Sequence, residues 1–149
     1  MRRLSLAGLA AMVGGIIGLY RIGALFSPRP AVIAVQAAAG ALFLWARWTF
    51  GMRSFHPAAN PTEGGIVTSG PYRYLRHPIY AAILLFAAAG AAARPSWGAA
   101  GFGALLLAGA LARALAEEKL LLERYPDFRG REGETVLISW KEEDVQLLS

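Results

Sequence analysis

Cysteine is absent from the 149 residues, which excludes disulfides, thiolate metal sites and cysteine nucleophiles. Charge is scarce: 17% of the residues are Asp, Glu, Lys or Arg, and no acidic residue occurs before Glu63. There are only two histidines, and His56 has no second histidine or acid at ligand spacing, so no metal site is expected. The chain also shows no internal repeat. What it does have is apolar surface: 56% of its residues are hydrophobic, 17 more are glycine, and the mean hydropathy is +0.42. Soluble domains hold about 45–50% apolar residues with glycine included, and a disordered chain holds fewer, so lipid is the expected solvent.

The 15 Lys and Arg outnumber the 10 Asp and Glu. A nucleic-acid partner is not expected from this excess, because the cations flank apolar blocks and form no basic stripe. Such flanking charge orients membrane helices. Arg2 and Arg3 before the apolar run from Leu4 have the charge order of a secretory signal, but no small-x-small cleavage site follows. The pattern predicts a single all-α, polytopic domain over residues 1–149, with about four spans at 4–26, 31–50, 78–93 and 97–116 and a polar tail from 117 to 149.

Gly14 and Gly18 form a Gly-x-x-x-Gly pair suited to close helix contact, and Trp45, Arg47 and Trp48 suit an interfacial belt. Residues 51 to 77 hold Pro57, Pro61, Pro71 and the Gly64-Gly65 pair, which bars them from crossing lipid as regular backbone. Helix 3 is expected to start at Pro78, because proline is tolerated in a first turn. The last helix should run past the bilayer and end before Pro126, and Ser139 with Glu142 is spaced as a capping box. Four spans place both termini on one side, with Arg2, Arg3, Arg53, Arg73, Arg76 and the tail cations, against Arg21, Arg29 and Arg94 on the other. The positive-inside rule makes the first side cytoplasmic.

Two polar clusters fall at that same face. One is Gly70-Pro71-Tyr72-Arg73-Tyr74-Leu75-Arg76-His77-Pro78-Ile79-Tyr80; the other is Arg113 with Glu117 and Glu118. Arg113 and Glu117 lie one turn apart on one helix face, and Glu118 lies about 100° further round. Arg73 and Tyr74 suit interfacial anchoring. Arg113 sits one turn inside the polar boundary, where an ionisable side chain points to function and needs a partner, here Glu117. A snorkelling arginine paired for helix solubility is the alternative.

The string Val67 to Tyr80, followed after the next span by Arg113-x-x-x-Glu117-Glu118-x-x-Leu121, resembles the small integral-membrane methyltransferases, a group that includes isoprenylcysteine carboxyl methyltransferase and phospholipid N-methyltransferases. The resemblance covers residues 55 to 128; the first two spans match in hydrophobicity alone. It implies a cytoplasmic-side pocket for S-adenosylmethionine, roofed by the tail, and a lipid-facing tunnel for an apolar acceptor. The implied cofactor-binding residues are Tyr72, Arg76, His77, Pro78, Tyr80, Glu117 and Glu118, with Arg113 and Glu118 in catalytic roles. The implied partners are membrane lipid and a lipophilic or lipidated acceptor: an isoprenylcysteine-like carboxylate, a phospholipid amine or a thiol. The family pattern after the glutamates begins at Tyr125-Pro126-Asp127-Phe128-Arg129-Gly130, and Arg131-Glu132-Gly133-Glu134 departs from it.

Residue chemistry agrees with that implication. S-adenosylmethionine carries a carboxylate, an ammonium and a sulfonium, so its site needs a cation, an anion and aromatic or apolar walls. Arg76 and His77 suit the carboxylate, and Glu117 or Glu118 suits the ammonium or the ribose. A non-enzymatic membrane scaffold or lipid-binding protein and a membrane reductase are the competing readings. Cofactor binding by the two clusters separates the scaffold from the enzyme.

Overall fold

The computed structural model describes residues 2–51 and 69–124, and all regular structure among them is helical. Helix α1 spans Arg2–Arg21, α2 Pro30–Phe50, α3 Pro78–Ala93 and α4 Trp97–Arg124, with a 3-10 turn at Gly70–Arg73. His56, most of the 51 to 77 loop, the Ser139–Glu142 capping box and the tail from Tyr125 lie outside the described residues. Helices α1, α2 and α4 are long and apolar enough to cross a membrane. At 16 residues, α3 is shorter, reaching about 24 Å against a hydrocarbon core of about 30 Å.

Helix α1 ends five residues before the expected boundary at 26. Gly23 has φ +67°, and its N–H donates to the Tyr20 carbonyl at 3.0 Å while that of Ala24 donates to Leu19 at 2.8 Å. This is a Schellman cap, with glycine in the left-handed position that other residues avoid. Ala24 and Leu25 then fold back and become buried. Hydropathy alone cannot detect this, because Ile22 to Phe26 are as apolar as the helix before them. At the start of α4, the Ser96 hydroxyl accepts the Ala99 N–H at 3.0 Å, an ordinary serine cap.

Helix α1 lies antiparallel along α4, α2 along α3, and α3 touches both α1 and α4. The α1–α4 seam is built from glycine. A Cβ on Gly8 would stand 2.8 Å from the Gly109 carbonyl oxygen and 2.9 Å from Cγ of Arg113, and one on Gly15 would stand 2.9 Å from the Leu106 nitrogen. Backbones that come this close gain dispersion contacts, the main source of helix adhesion where lipid is as apolar as the side chains. Of the expected Gly14–Gly18 pair, only Gly18 is in the seam, against the Phe102 ring; a Cβ on Gly14 would make ordinary contact with Leu105 at 3.7 Å. The contact positions are thus Gly8, Gly15 and Gly18, spaced by seven and three, because those residues share the stripe that faces α4.

Outward-facing leucines and isoleucines cover the bundle: Leu6 and Ile17 on α1, Ile33 on α2, Leu85 on α3, Leu107 and Leu115 on α4. Trp45 and Trp48 are exposed at one end and Trp97 at the other, as interfacial aromatics are. Among the described residues no buried side-chain nitrogen or oxygen lacks a hydrogen-bond partner.

The seam gives a direct contrast between neighbouring glycines. Gly15→Ala is expected to destabilise the folded protein by about 1–3 kcal/mol, the usual cost of overpacking. Gly14→Ala should be neutral or slightly stabilising through helix propensity. Thermal unfolding in detergent measures both, and equal effects at the two positions would refute the assigned seam.

Candidate active site

The two polar clusters meet at one end of the bundle, where α3 begins and α4 leaves its apolar stretch. Helix α3 opens with Pro78 at its first position, where the missing N–H is no loss. His77 occupies the N-cap but its side chain makes no capping bond. The imidazole lies between two carboxylates instead, with Nδ1 3.5 Å from Glu117 Oε2 and Nε2 3.3 Å from Glu118 Oε1. One turn on, Tyr80 stacks its ring beside that of His77, centroids 5.7 Å apart.

Arg113 reaches Tyr80 from α4. Its Nε donates to the Tyr80 hydroxyl at 2.8 Å, and Nη2 lies 3.7 Å from Glu117 Oε1. The Tyr80 hydroxyl in turn donates to Glu117. Arg113 is only 7% exposed, and its stem passes over Gly8, where any side chain would displace it. Glu118, rotated away from this face, pairs with His77 and with Arg76 Nη1 at 3.7 Å. The result is a continuous polar chain, Arg76, Glu118, His77, Glu117, Tyr80 and Arg113, running from the rim inward. Its outer members are open: the side chains of Arg76 and Glu118 are 60% and 37% exposed.

Tyr72 stands beside this chain on the 3-10 turn, its ring 5.5 Å from that of Phe50. Burial, and secondarily the charge of Glu117, pushes its hydroxyl up to about 12. The turn is brought against α2 by Gly70, whose φ is +59° and whose Cβ would stand 2.6 Å from Thr49 Oγ1. Arg73 and Tyr74 face outward, the guanidinium 6.0 Å from the ring centroid. Of the residues singled out in the sequence, Arg76, His77, Tyr80, Arg113, Glu117 and Glu118 are linked directly and Tyr72 adjoins them. Pro78 is buried and contributes backbone shape.

Two contributors escaped the sequence reading. Gly8 makes room for Arg113, and nothing distinguishes it from the other glycines of its helix until α4 is placed. Gln36 is buried in α2, with Nε2 donating to the Leu25 carbonyl at 2.7 Å and the Phe86 carbonyl at 3.2 Å. A lone amide inside an apolar span was the signal available for it.

His77 is raised above its ordinary value of 6.5, first by its bond to Glu117, partly opposed by burial, with the Glu117 charge and Glu118 adding to the rise. A raised folded value means the protonated ring favours the fold: its contribution is complete below pH 6.5 and is lost as the pH climbs through the raised value. Stability of the wild type should therefore fall as pH rises from 6.5 upward, and His77→Gln should lack that component. Thermal unfolding at constant ionic strength decides it, and identical pH profiles would refute the bridging role.

A family model described as the isoprenylcysteine carboxyl methyltransferase (ICMT) family matches residues 31–123. That range takes in α3, all but the first residue of α2 and all but the last residue of α4, and with them the whole polar chain. No curated protein and no solved structure matches the sequence. With well over half its length matched and three helices fit to span a bilayer, the chain belongs to the isoprenylcysteine carboxyl methyltransferase family, integral-membrane methyltransferases that act on lipophilic substrates.

Proposed function

We propose that the protein transfers a methyl group from S-adenosylmethionine to the carboxylate of a lipophilic, isoprenylcysteine-like acceptor, at the end of the bundle that carries Arg76 to Arg113. The observation behind this reading is the polar chain itself: an arginine and a glutamate open at the rim, backed by a histidine, a second glutamate, a tyrosine and a buried arginine, all within the family match.

The donor set fits S-adenosylmethionine. Arg76 is the exposed cation able to fork onto a carboxylate, Glu118 the exposed anion able to take an ammonium or a ribose hydroxyl, and Tyr72 an aromatic face for a sulfonium. When bound, it supplies a sulfonium methyl whose C–S bond breaks as an acceptor lone pair forms the new bond, the electron pair returning to sulfur. The protein's share is orientation, since an in-line displacement gains most from fixed geometry. Arg113 and Tyr80 hold Glu117, and Glu117 and Glu118 hold His77. Arg113 acts here as a positioning residue, its guanidinium engaged by Tyr80 and Glu117.

Among the described residues, the groups around His77 favour an acceptor that needs no base. The two carboxylates favour the protonated form of His77, and Glu117 is engaged by Arg113 and Tyr80. An amine arriving protonated would need a base, whereas a carboxylate is ionised at neutral pH and needs none. Next to the site runs an apolar groove of about 390 Å³ between α1, α2 and α3, whose residues Ala82 and Ile83 lie within a turn of Tyr80. Leu44, 65% exposed, borders it, so the groove faces lipid and can take the acceptor's hydrocarbon sideways from the bilayer.

In this reading α3 is a fourth crossing and the site end is cytoplasmic. Among the described residues that end holds Arg2, Arg3, Arg47, Arg73, Arg76 and Lys119, against Arg21, Arg29 and Arg94 at the other.

Two experiments test the proposal. Calorimetric titration of detergent-purified protein with S-adenosylhomocysteine should show binding that Arg76→Ala or Glu118→Ala weakens by about 1.5–3 kcal/mol, the scale of a bond to a charged group. Arg73→Ala should change it little, and absence of binding in the wild type would defeat the reading. The native chain has no cysteine, so single cysteines at Ser27, Ser96 and Ser69 report topology cleanly. The first two should react with an impermeant reagent added outside intact cells and the third should not; the reverse pattern would overturn the orientation.

A further inference from the structure

We infer that Gln36 sets the length of hydrocarbon chain the apolar groove accepts, by fixing the wall that closes the groove at its end away from the polar site. The inference rests on the proposed reading of that groove as the acceptor's place.

Helices α2 and α3 run antiparallel beside the groove, so depth can be followed along α3 from Tyr80. Ala82 and Ile83 come first, and Phe86 and Ala87 last. From Tyr80 to Phe86 the axial rise is about 9 Å. One turn further along α3 the segment after α1 crosses over: a Cβ on Gly90 would run into the Leu25 carbonyl oxygen and lie 2.8 Å from that of Ala24, and Leu25 turns its side chain, 7% exposed, into the groove lining. Leu25 and Phe86 therefore end the groove. Their two carbonyls are the ones the Gln36 amide holds, at 2.7 and 3.2 Å, from one turn beyond the groove residues Ala39 and Gly40.

The energetics favour a firm stop. Leu25 lies in a non-helical segment, where its carbonyl has no helix partner, and in an apolar surround an unmet carbonyl is costly. One amide satisfies it and ties it to α3, so wall and groove move as one. Outside the wall, Phe26 meets Phe86 edge to face at 5.8 Å. A chain longer than the groove must part these contacts or turn its end out into lipid, and either limits the gain from added length.

The test is a chain-length profile. Binding of N-acetyl-S-geranyl-, S-farnesyl- and S-geranylgeranyl-cysteine to the purified protein is measured with S-adenosylhomocysteine binding in parallel. In the wild type, affinity should rise with chain length until the groove is full and then stop rising. Gln36→Leu keeps the volume but frees the wall, and should raise the affinity ratio of the longest to the shortest probe by about tenfold, a fraction of the burial energy of one added prenyl unit. Gly40→Leu should lower that ratio, because a Cβ there meets nothing within 4 Å and the side chain can enter the groove. S-adenosylhomocysteine affinity should not change in either variant.

A profile unaltered by Gln36→Leu, with S-adenosylhomocysteine still bound, overturns the role given to Gln36. If that variant does not fold, Phe86→Ala, which removes the wall itself, must lengthen the accepted chain, and failure to do so overturns it equally. Wild type that shows the length break but no S-adenosylhomocysteine binding defeats the methyl-donor reading and leaves the wall assignment standing.

Discussion

A guanidinium buried at the edge of an apolar bundle governs this architecture. Arginine does not give up its proton inside a protein, so Arg113 must be matched by charge and hydrogen bonds wherever it is placed. Tyr80 and Glu117 provide the match, which fixes the first turn of α3 against the last apolar turn of α4. Gly8 allows α1 to lie over the arginine stem, so the same residue also sets the closeness of α1 and α4. Removing one partner of such a pair leaves an unmatched charge, which costs about 3–5 kcal/mol in a buried setting.

From that anchor outward the polar chain becomes progressively more exposed. Glu117 and His77 are partly covered, and Arg76 and Glu118 reach solvent. Interior members that already satisfy each other keep their geometry, and rim members can exchange partners at little cost because water is there to replace them. In the proposed function, a water-soluble ligand with both signs of charge is met by the rim and aligned by the interior. The opposite end of the bundle works differently. Gln36, Ser96 and the Schellman cap at Gly23 close backbone groups there, and among the described residues that end holds arginines and no acid.

Part of the geometry of the candidate site was legible in the sequence. Arg113 and Glu117 had to share a helix face at a spacing of four, and Glu118 had to point elsewhere; the structure sends it to His77 and Arg76. The boundaries of α3 could be read from Pro78 and Arg94, and the apolar blocks located the long helices. The end of α1 could not be read, because the capping Gly23 is followed by residues as apolar as the helix itself and Arg21 alone does not mark a helix end. The Gly14–Gly18 pair was half misleading for a related reason: spacing shows that two glycines share a face but not which face meets α4. Gln36 stood out as polar, without any indication that it would cross between a loop carbonyl and a helix carbonyl.

Composition and periodicity by themselves determined that this chain is helical, suits lipid and carries its acids only after the second apolar block, since those properties depend on how often and at what interval residue types recur. Which groups face one another was decided by tertiary packing alone. His77 and the glutamates are some forty residues apart, and the bond from Gln36 to Phe86 spans fifty. Contacts of that range depend on the angle and depth at which helices settle, and these are set by where glycines allow backbones to touch, information spread over two segments at once and carried by neither.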